Sequence, residues 1–238
     1  DKSMSSEFEN KLIILLALES IGFMSKNELN SILSDGGMLG YIDMVLALDV
    51  LVEDASVAQR EMYYEITQKG KEELDLFLNK IPNSIKNNLL LNAPDHKSSL
   101  NQHRDVVVFY SRQADRYHVD IYMYVDGLLF LKVKHASREK NNVNIAQHAK
   151  QNRDKLYNVI RELGKTVDTT RDSVSRGEVQ LFMEQGLQYM KVSYEVGNDF
   201  WELRFLVPFR DEIDIFVNNW HYRADEIVAD IKKLLLDA

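Results

Sequence analysis

Tyr64-Glu65-Ile66-Thr67-Gln68-Lys69-Gly70-Lys71-Glu72-Glu73-Leu74 reads as a strand that passes directly into a helix. The helix is predicted to start at Lys69 and run to about Lys80, where Ile81-Pro82 ends it. Upstream, Val52 and Val57 are expected to pair with Tyr63 to Ile66 across a connection containing Arg60, giving a two-stranded hairpin. Further back, Met38 to Leu51 is predicted as a helix. Ser25-Lys26-Asn27-Glu28 is a capping box, with Ser at N-cap and Glu at N3, opening a helix through Leu33 that Asp35-Gly36-Gly37 closes. Phe8 to Ile21 carries Phe8, Leu12, Leu15, Leu16 and Ile21 near helical spacing, ahead of Gly22 as C-cap. The order is three helices, a hairpin and a further helix.

That succession resembles the bacterial winged helix of MarR-type and PadR-type regulators. There a strand followed by an Ile-Thr-x-Lys-Gly pattern, here Ile66-Thr67-Gln68-Lys69-Gly70, forms the second wing strand and the start of the next helix. Phe8 to Leu15, Ile81-Pro82-Asn83-Ser84-Ile85-Lys86, Leu206-Val207-Pro208 and Asn219-Trp220 are similar to an uncharacterised winged-helix family of Gram-positive bacteria, a domain of unknown function grouped with transcriptional regulators. The resemblance implies a non-enzymatic regulator that binds duplex DNA as a homodimer on paired half-sites.

The residues themselves pull against DNA. Residues 1–95 hold 8 Lys+Arg against 16 Asp+Glu, so this half must overcome its own acidity to grip a polyanion. A groove-reading third helix needs Arg, Lys, Asn or Gln for base edges. From Leu39 to Leu51 the polar residues are Gly40, Asp43 and Asp49, and apolar side chains surround the axis. Such a helix is predicted to be buried under the second domain or another subunit, with Tyr41, Leu46 and Val50 as the interaction surface. Phosphate contacts then fall to Lys26, Asn27, Arg60, Lys69 and Lys71, and DNA binding would be weak and salt-sensitive. Ordinary solvated surface is the alternative for each of the five.

The polar run at residues 92–104 reads as a linker between a winged-helix domain at 1–91 and a second domain at 105–238. In the second domain Val119, Ile121, Met123 and Val125 alternate as a strand, and Met190, Val192, Tyr194 and Val196 repeat the pattern 71 residues later. Leu129, Leu131 and Val133 match Trp201, Leu203 and Phe205 at an offset of 72, which an extra residue in the second hairpin turn would explain. Ile145, Ala149, Leu156, Ile160 and Leu163 match Phe216, Trp220, Ile227, Ile231 and Leu234 at 71. A duplicated strand-strand-helix unit follows, over residues 117–163 and 188–234, with one antiparallel sheet covered by helices. The fold class is therefore α+β.

Register tests this arrangement. A two-residue type I′ turn at Asp126-Gly127 would set Ile121 opposite Lys132, whereas a three-residue loop sets Ile121 against Val133 and Met123 against Leu131. The second keeps the apolar side chains on one face. Its outer face then carries Tyr122, Tyr124, Phe130, Lys132 and Lys134, which in one reading is a stacking surface for single-stranded nucleic acid that the Lys191, Ser193, Glu195, Glu202 and Arg204 of the second half would not continue. The simpler reading is an outer sheet face with cross-strand pairs such as Asp120 with Lys134.

The remaining chemistry classes find little support. The chain has no cysteine, and its 6 histidines show no metal-ligand spacing, so neither a metal nor a cofactor is expected. The longest apolar stretch, Leu12 to Leu18, is far short of the roughly 20 residues that span a bilayer. Met4 reads as the native start, no leader is recognisable, and a cytoplasmic location is expected. Two further roles fit: a protein-association module built on the apolar third helix, and a small-molecule sensor with its pocket between the two repeats.

Overall fold

The computed structural model describes residues 2–166 and 178–237. The chain forms two compact units, Asp1–Leu100 and Asn101–Ala238.

The first unit runs α1 (Lys2–Ile21), β1 (Met24–Ser25), α2 (Lys26–Leu33), α3 (Tyr41–Glu53), β2 (Val57–Arg60), β3 (Tyr63–Ile66), α4 (Gln68–Phe77), a short 3-10 turn and α5 (Asn83–Asn101). Its three strands lie in the order β1-β3-β2, all antiparallel, with Val57 opposite Ile66 and Met24 opposite Tyr64. Val52, expected in the hairpin, belongs to α3 instead. The central helix is α1: every residue from Leu12 to Leu18 is buried. Helix α3 packs against it through Met44, Ala47, Leu48 and Leu51, a spacing of i, i+3, i+4 and i+7 that covers one side only.

The capping box forms as expected, with the Glu28 amide donating to Ser25 Oγ at 3.2 Å and the Ser25 amide to Glu28 Oε1 at 2.9 Å. The strand-to-helix motif is also held by a cap. Thr67 Oγ1 accepts from the Gly70 amide at 3.2 Å and donates to the Ala55 carbonyl at 2.7 Å. Gly70 fits because it has no side chain: a Cβ there would stand 2.2 Å from the Ser56 carbonyl oxygen and 2.9 Å from Ile66 Cγ1. Gly70→Ala should therefore destabilise the first unit by about 2–3 kcal/mol, since rigid backbone must move. A urea midpoint unchanged from wild type would rule this out.

The stretch expected to be a linker is helical: α5 continues through residues 92–101 and contains Pro94. Ile85, Leu89 and Ala93, four residues apart, lay one narrow stripe on the first core. That anchorage outweighs the polar composition that suggested a loop.

The second unit runs β4 (Val106–Gln113), β5 (Arg116–Val125), β6 (Leu128–Ser137), α6 (Ile145–Gln151), α7 (Arg153–Glu162), β7 (Val179–Glu184), β8 (Leu187–Val196), β9 (Asp199–Val207) and α8 (Ile213–Leu235). Its six strands form one antiparallel sheet in the order β4-β5-β6-β9-β8-β7. Two three-stranded meanders thus meet at β6 and β9, where Val133 lies opposite Leu203. Strands β4 and β7 were not expected. Met123, Leu131, Ile160, Tyr194, Leu203 and Ile231 join in one apolar cluster under α6, α7 and α8.

Both alternatives for the first hairpin contribute. Asp126 (φ 49°) and Gly127 (φ 78°) form a two-residue turn with both φ angles positive, as type I′ requires. Yet Met123 faces Leu131 and Ile121 faces Val133, because a bulge between Met123 and Tyr124 shifts the register by one. The inserted residue is Phe130, which points into the core rather than to the outer face and meets the Tyr157 ring edge-on at 5.3 Å. The β8–β9 ladder has no such shift and closes through Gly197-Asn198. The extra residue therefore lies in the first hairpin, and Val192 facing Leu203 aligns β9 with β6 at an offset of 70, not 72.

The helices break at matching places. Asn152 separates α6 from α7 at φ −105°, ψ 12°, and Arg223 interrupts α8 at φ −131°, ψ 17°, 71 residues later. Buried Asn219 ties α8 to the end of α7, its amide donating to the Leu163 and Lys165 carbonyls, each at 2.8 Å. Burial pushes the Tyr189 phenol up to about 12, so it stays a donor, here to the Leu129 carbonyl at 3.0 Å.

Candidate functional site

Helix α3 begins at Tyr41, after Gly40 in extended conformation at the N-cap, and its sequence is Tyr-Ile-Asp-Met-Val-Leu-Ala-Leu-Asp-Val-Leu-Val-Glu. In the single chain the side away from α1 is exposed, so the chain itself does not supply the expected cover. Tyr41 is 53% exposed, Ile42 72%, Leu46 60% and Val50 41%. Asp43, Asp49 and Glu53 are exposed beside them. The helix is apolar on two sides because one side fills the core and the other forms a surface. Tyr41, Leu46 and Val50 are each exposed; Leu46 and Val50 share a stripe with Ile42 at i, i+4 and i+8, Tyr41 lies to one side of it, and Ile42, the most exposed of the four, was missed by the sequence reading. No residue of α3 can donate a side-chain hydrogen bond to a phosphate or a base except through the Tyr41 hydroxyl. Its carboxylates would repel a nucleic-acid backbone.

The five basic or polar candidates sit on three separate elements. Lys26 and Asn27 occupy the first turn of α2, and Asn27 is exposed. Arg60, at the end of β2, faces Glu65 Oε2 at 3.4 Å. Lys69 and Lys71 share the first turn of α4. Lys69 donates to the Asp54 carbonyl at 2.5 Å and lies 4.0 Å from Glu73, while Lys71 lies 3.9 Å from Glu19. Arg60, Lys69 and Lys71 thus each have a carboxylate of the same unit beside them. The hairpin tip between the strands is Glu61-Met62, an acid and an exposed apolar side chain.

The outer face of the sheet offers no stacking platform. Tyr122 and Tyr124 are buried, Lys132 Nζ lies 4.8 Å from the Tyr122 ring centre, and Lys134 is the cross-strand neighbour of Asp120. In the other half Lys191 pairs with Glu202 at 3.6 Å, and Arg204 pairs with Glu184 at 3.2 Å while covering the Phe182 ring. The rings and cations already serve one another.

Among the described residues no group of three His, Asp or Glu side chains is placed to hold a metal ion. No described helix is long and apolar enough to cross a membrane. A groove of about 300 Å³ runs between α7 and α8, where the sensor reading would put an effector. Its charged walls, Lys155 and Arg223 against Glu162 and Asp230, balance one another and select no ligand charge.

The family model DUF4364, described as a domain of unknown function, matches residues 10–163. No curated protein and no solved structure matches the chain. The matched span takes in nearly all of the first unit and, in the second, strands β4 to β6 with helices α6 and α7; it ends one residue after α7. It covers well over half of the sequence, and so the chain belongs to the DUF4364 family, a domain of unknown function.

Proposed function

We propose that this chain is a non-enzymatic, regulator-like protein whose first unit is a winged helix, and whose third helix docks a protein rather than reading a DNA groove. The observation that carries the reading is the surface of α3, where Tyr41, Ile42, Leu46 and Val50 stand exposed between Asp43, Asp49 and Glu53. A cluster of large exposed apolar side chains on one helix marks an interaction site. Its acidic border selects a partner that presents an apolar ridge flanked by Lys or Arg. A second copy docked by the same face would bring the acids of the two helices together, so a basic heterologous partner fits better than self-association there.

The helix order, the β2–β3 hairpin and the Thr67–Gly70 cap support the winged-helix assignment. The duplicated origin of the second unit is proposed on three observations: the symmetric strand order, the ladders that match at offsets of 71 and 70, and the paired breaks at Asn152 and Arg223.

The test compares wild type with Ile42→Lys/Leu46→Lys. Because both side chains are exposed, the double variant should keep its stability to within about 0.5 kcal/mol per substitution. Wild type should bind a designed amphipathic helical peptide with a Leu ridge and Lys flanks, the double variant should lose it, and a Glu-flanked peptide should bind neither. Duplex DNA titrated over a salt series should show at most weak binding. DNA affinity that is strong at 150 mM salt and falls on Asp43→Lys or Leu46→Asp substitution would return α3 to groove reading.

A further inference from the structure

We infer that the first half of the six-stranded sheet holds a binding site for a small planar aromatic ring that carries one acidic group. A cleft of about 400 Å³ opens where the ends of β4, β5 and β6 meet residues 138–144 and the start of α6. Its walls and floor include Tyr110, Arg112, Tyr117, His135, Lys140 and Ile145. The volume lies within the range of small-molecule sites, which combine apolar walls with a few convergent polar groups.

The walls suit a flat ring. Tyr110 is an aromatic side chain left 54% exposed at the mouth, and the Arg112 guanidinium lies 5.0 Å from the Tyr117 ring centre, a planar cation already seated on an aromatic face. The charge suits an anion. Arg112 and Lys140 have no carboxylate partner among the described residues, although the chain as a whole is at −8, and Glu139 is the acid on the rim. Carboxylate and phosphate both match the guanidinium fork, which donates paired hydrogen bonds to the oxygens of either.

The floor is polar where packing alone would make it apolar. His135 is 8% exposed, lies against Trp201 with ring centres 4.3 Å apart, and its Nε2 has no hydrogen-bond partner, with Asp199 Oδ2 at 3.6 Å. Burial holds its pKa below the ordinary 6.5, the nearby Asp199 opposing that shift in part. A buried imidazole nitrogen without a hydrogen-bond partner costs stability.

The other half of the sheet shows what packing alone selects. Tyr110, Val119 and His135 lie opposite one another across β4, β5 and β6, and Leu181, Met190 and Phe205 do so across β7, β8 and β9. Arg112 opposite Tyr117 becomes Met183 opposite Gln188. Ile145, seven residues before the break at Asn152, matches Phe216, seven before Arg223. Phe205 and Phe216 are fully buried at the positions that match His135 and Ile145. At matching positions one half carries two buried phenyl rings beneath apolar Leu181 and Met183, and the other an imidazole and an isoleucine beneath Tyr110 and Arg112.

The experiment is calorimetric titration of the full chain with 2-naphthoate, adenosine monophosphate and the uncharged 2-naphthamide, with Arg112→Ala and Tyr110→Ala beside wild type. Both substituted side chains are exposed, so both variants fold. At least one anion should bind with a Kd below about 1 mM, and each substitution should weaken it about tenfold or more. Binding of naphthoate alone assigns a carboxylate ligand, and binding of the nucleotide alone assigns a phosphate ester. The site is refuted by binding of neither anion at that concentration, by naphthamide binding as tightly as naphthoate, or by affinities unchanged in both variants.

Discussion

Leu203→Asp should unfold the second unit and leave the first one folded. Leu203 is fully buried on β9, with Val133 opposite it on β6 and Val192 opposite it on β8, both also buried. A carboxylate at that point has no cation or donor within the apolar cluster, and burying it costs several kcal/mol against a total domain stability of roughly 5–15 kcal/mol. The two cores are separate clusters, one containing Leu12 to Leu18 and the other Leu203, so the damage stays local. The readout separates them. Both tryptophans, Trp201 and Trp220, are buried in the second unit, and their emission should shift to the red. Helical circular dichroism from α1 to α5 should persist. Leu203→Met, which conserves volume, should cost less than about 1.5 kcal/mol and keep the native emission. Native tryptophan emission and an unchanged urea midpoint in Leu203→Asp would refute the placement of this residue at the centre of the sheet.

How much of this was legible depends on the kind of signal each element carries. The capping box was readable because it needs particular residues at fixed spacing, and Ser25 with Glu28 formed the bonds their positions imply. The Thr67–Gly70 cap, which starts its helix one residue ahead of the expected Lys69, was not read. The sheet faces were readable from alternation, and Met123, Leu131 and Leu203 all point inward. Sequence composition could not separate α1 from α3, since each is apolar on nearly every side. Only packing shows that α1 is surrounded and that α3 turns Ile42 and Leu46 to solvent. Helix α5 was hidden because its core contacts, Ile85, Leu89, Ala93 and Leu100, are widely spaced in a largely polar segment.

Edge strands were the other blind spot. β7 is mostly exposed, so its alternation is weak, and β4 follows the polar segment read as a linker. Missing β4 also hid the cleft, because Tyr110 and Arg112 are on it and His135 then looked like one scattered histidine among six. The bulge at Phe130 was out of reach for a different reason. Turn chemistry at Asp126-Gly127 and face alternation demanded different registers, and an inserted residue satisfies both.

A chain ended at Thr166 should not remain a well-behaved monomer. That truncation removes β7, β8, β9 and α8 while keeping the whole span matched by the family model, residues 10–163. Strand β6 would lose its ladder to β9 from Leu131 to Ala136, and its core would lose Trp201, Leu203, Phe205 and Trp220. An unpaired strand rich in apolar residues is a template for another copy. The natural substitute is a second β6, paired antiparallel about Val133 as β6 now pairs with β9 about Val133 and Leu203. Sedimentation should therefore find the fragment dimeric or aggregated at micromolar concentration. Adding residues 178–238 in trans should compete for the same edge and convert it to a one-to-one complex. A fragment that stays monomeric, with cooperative unfolding of β4 to β6, would show that the first half needs no partner strand and that the second half is an appendage rather than the other side of the sheet.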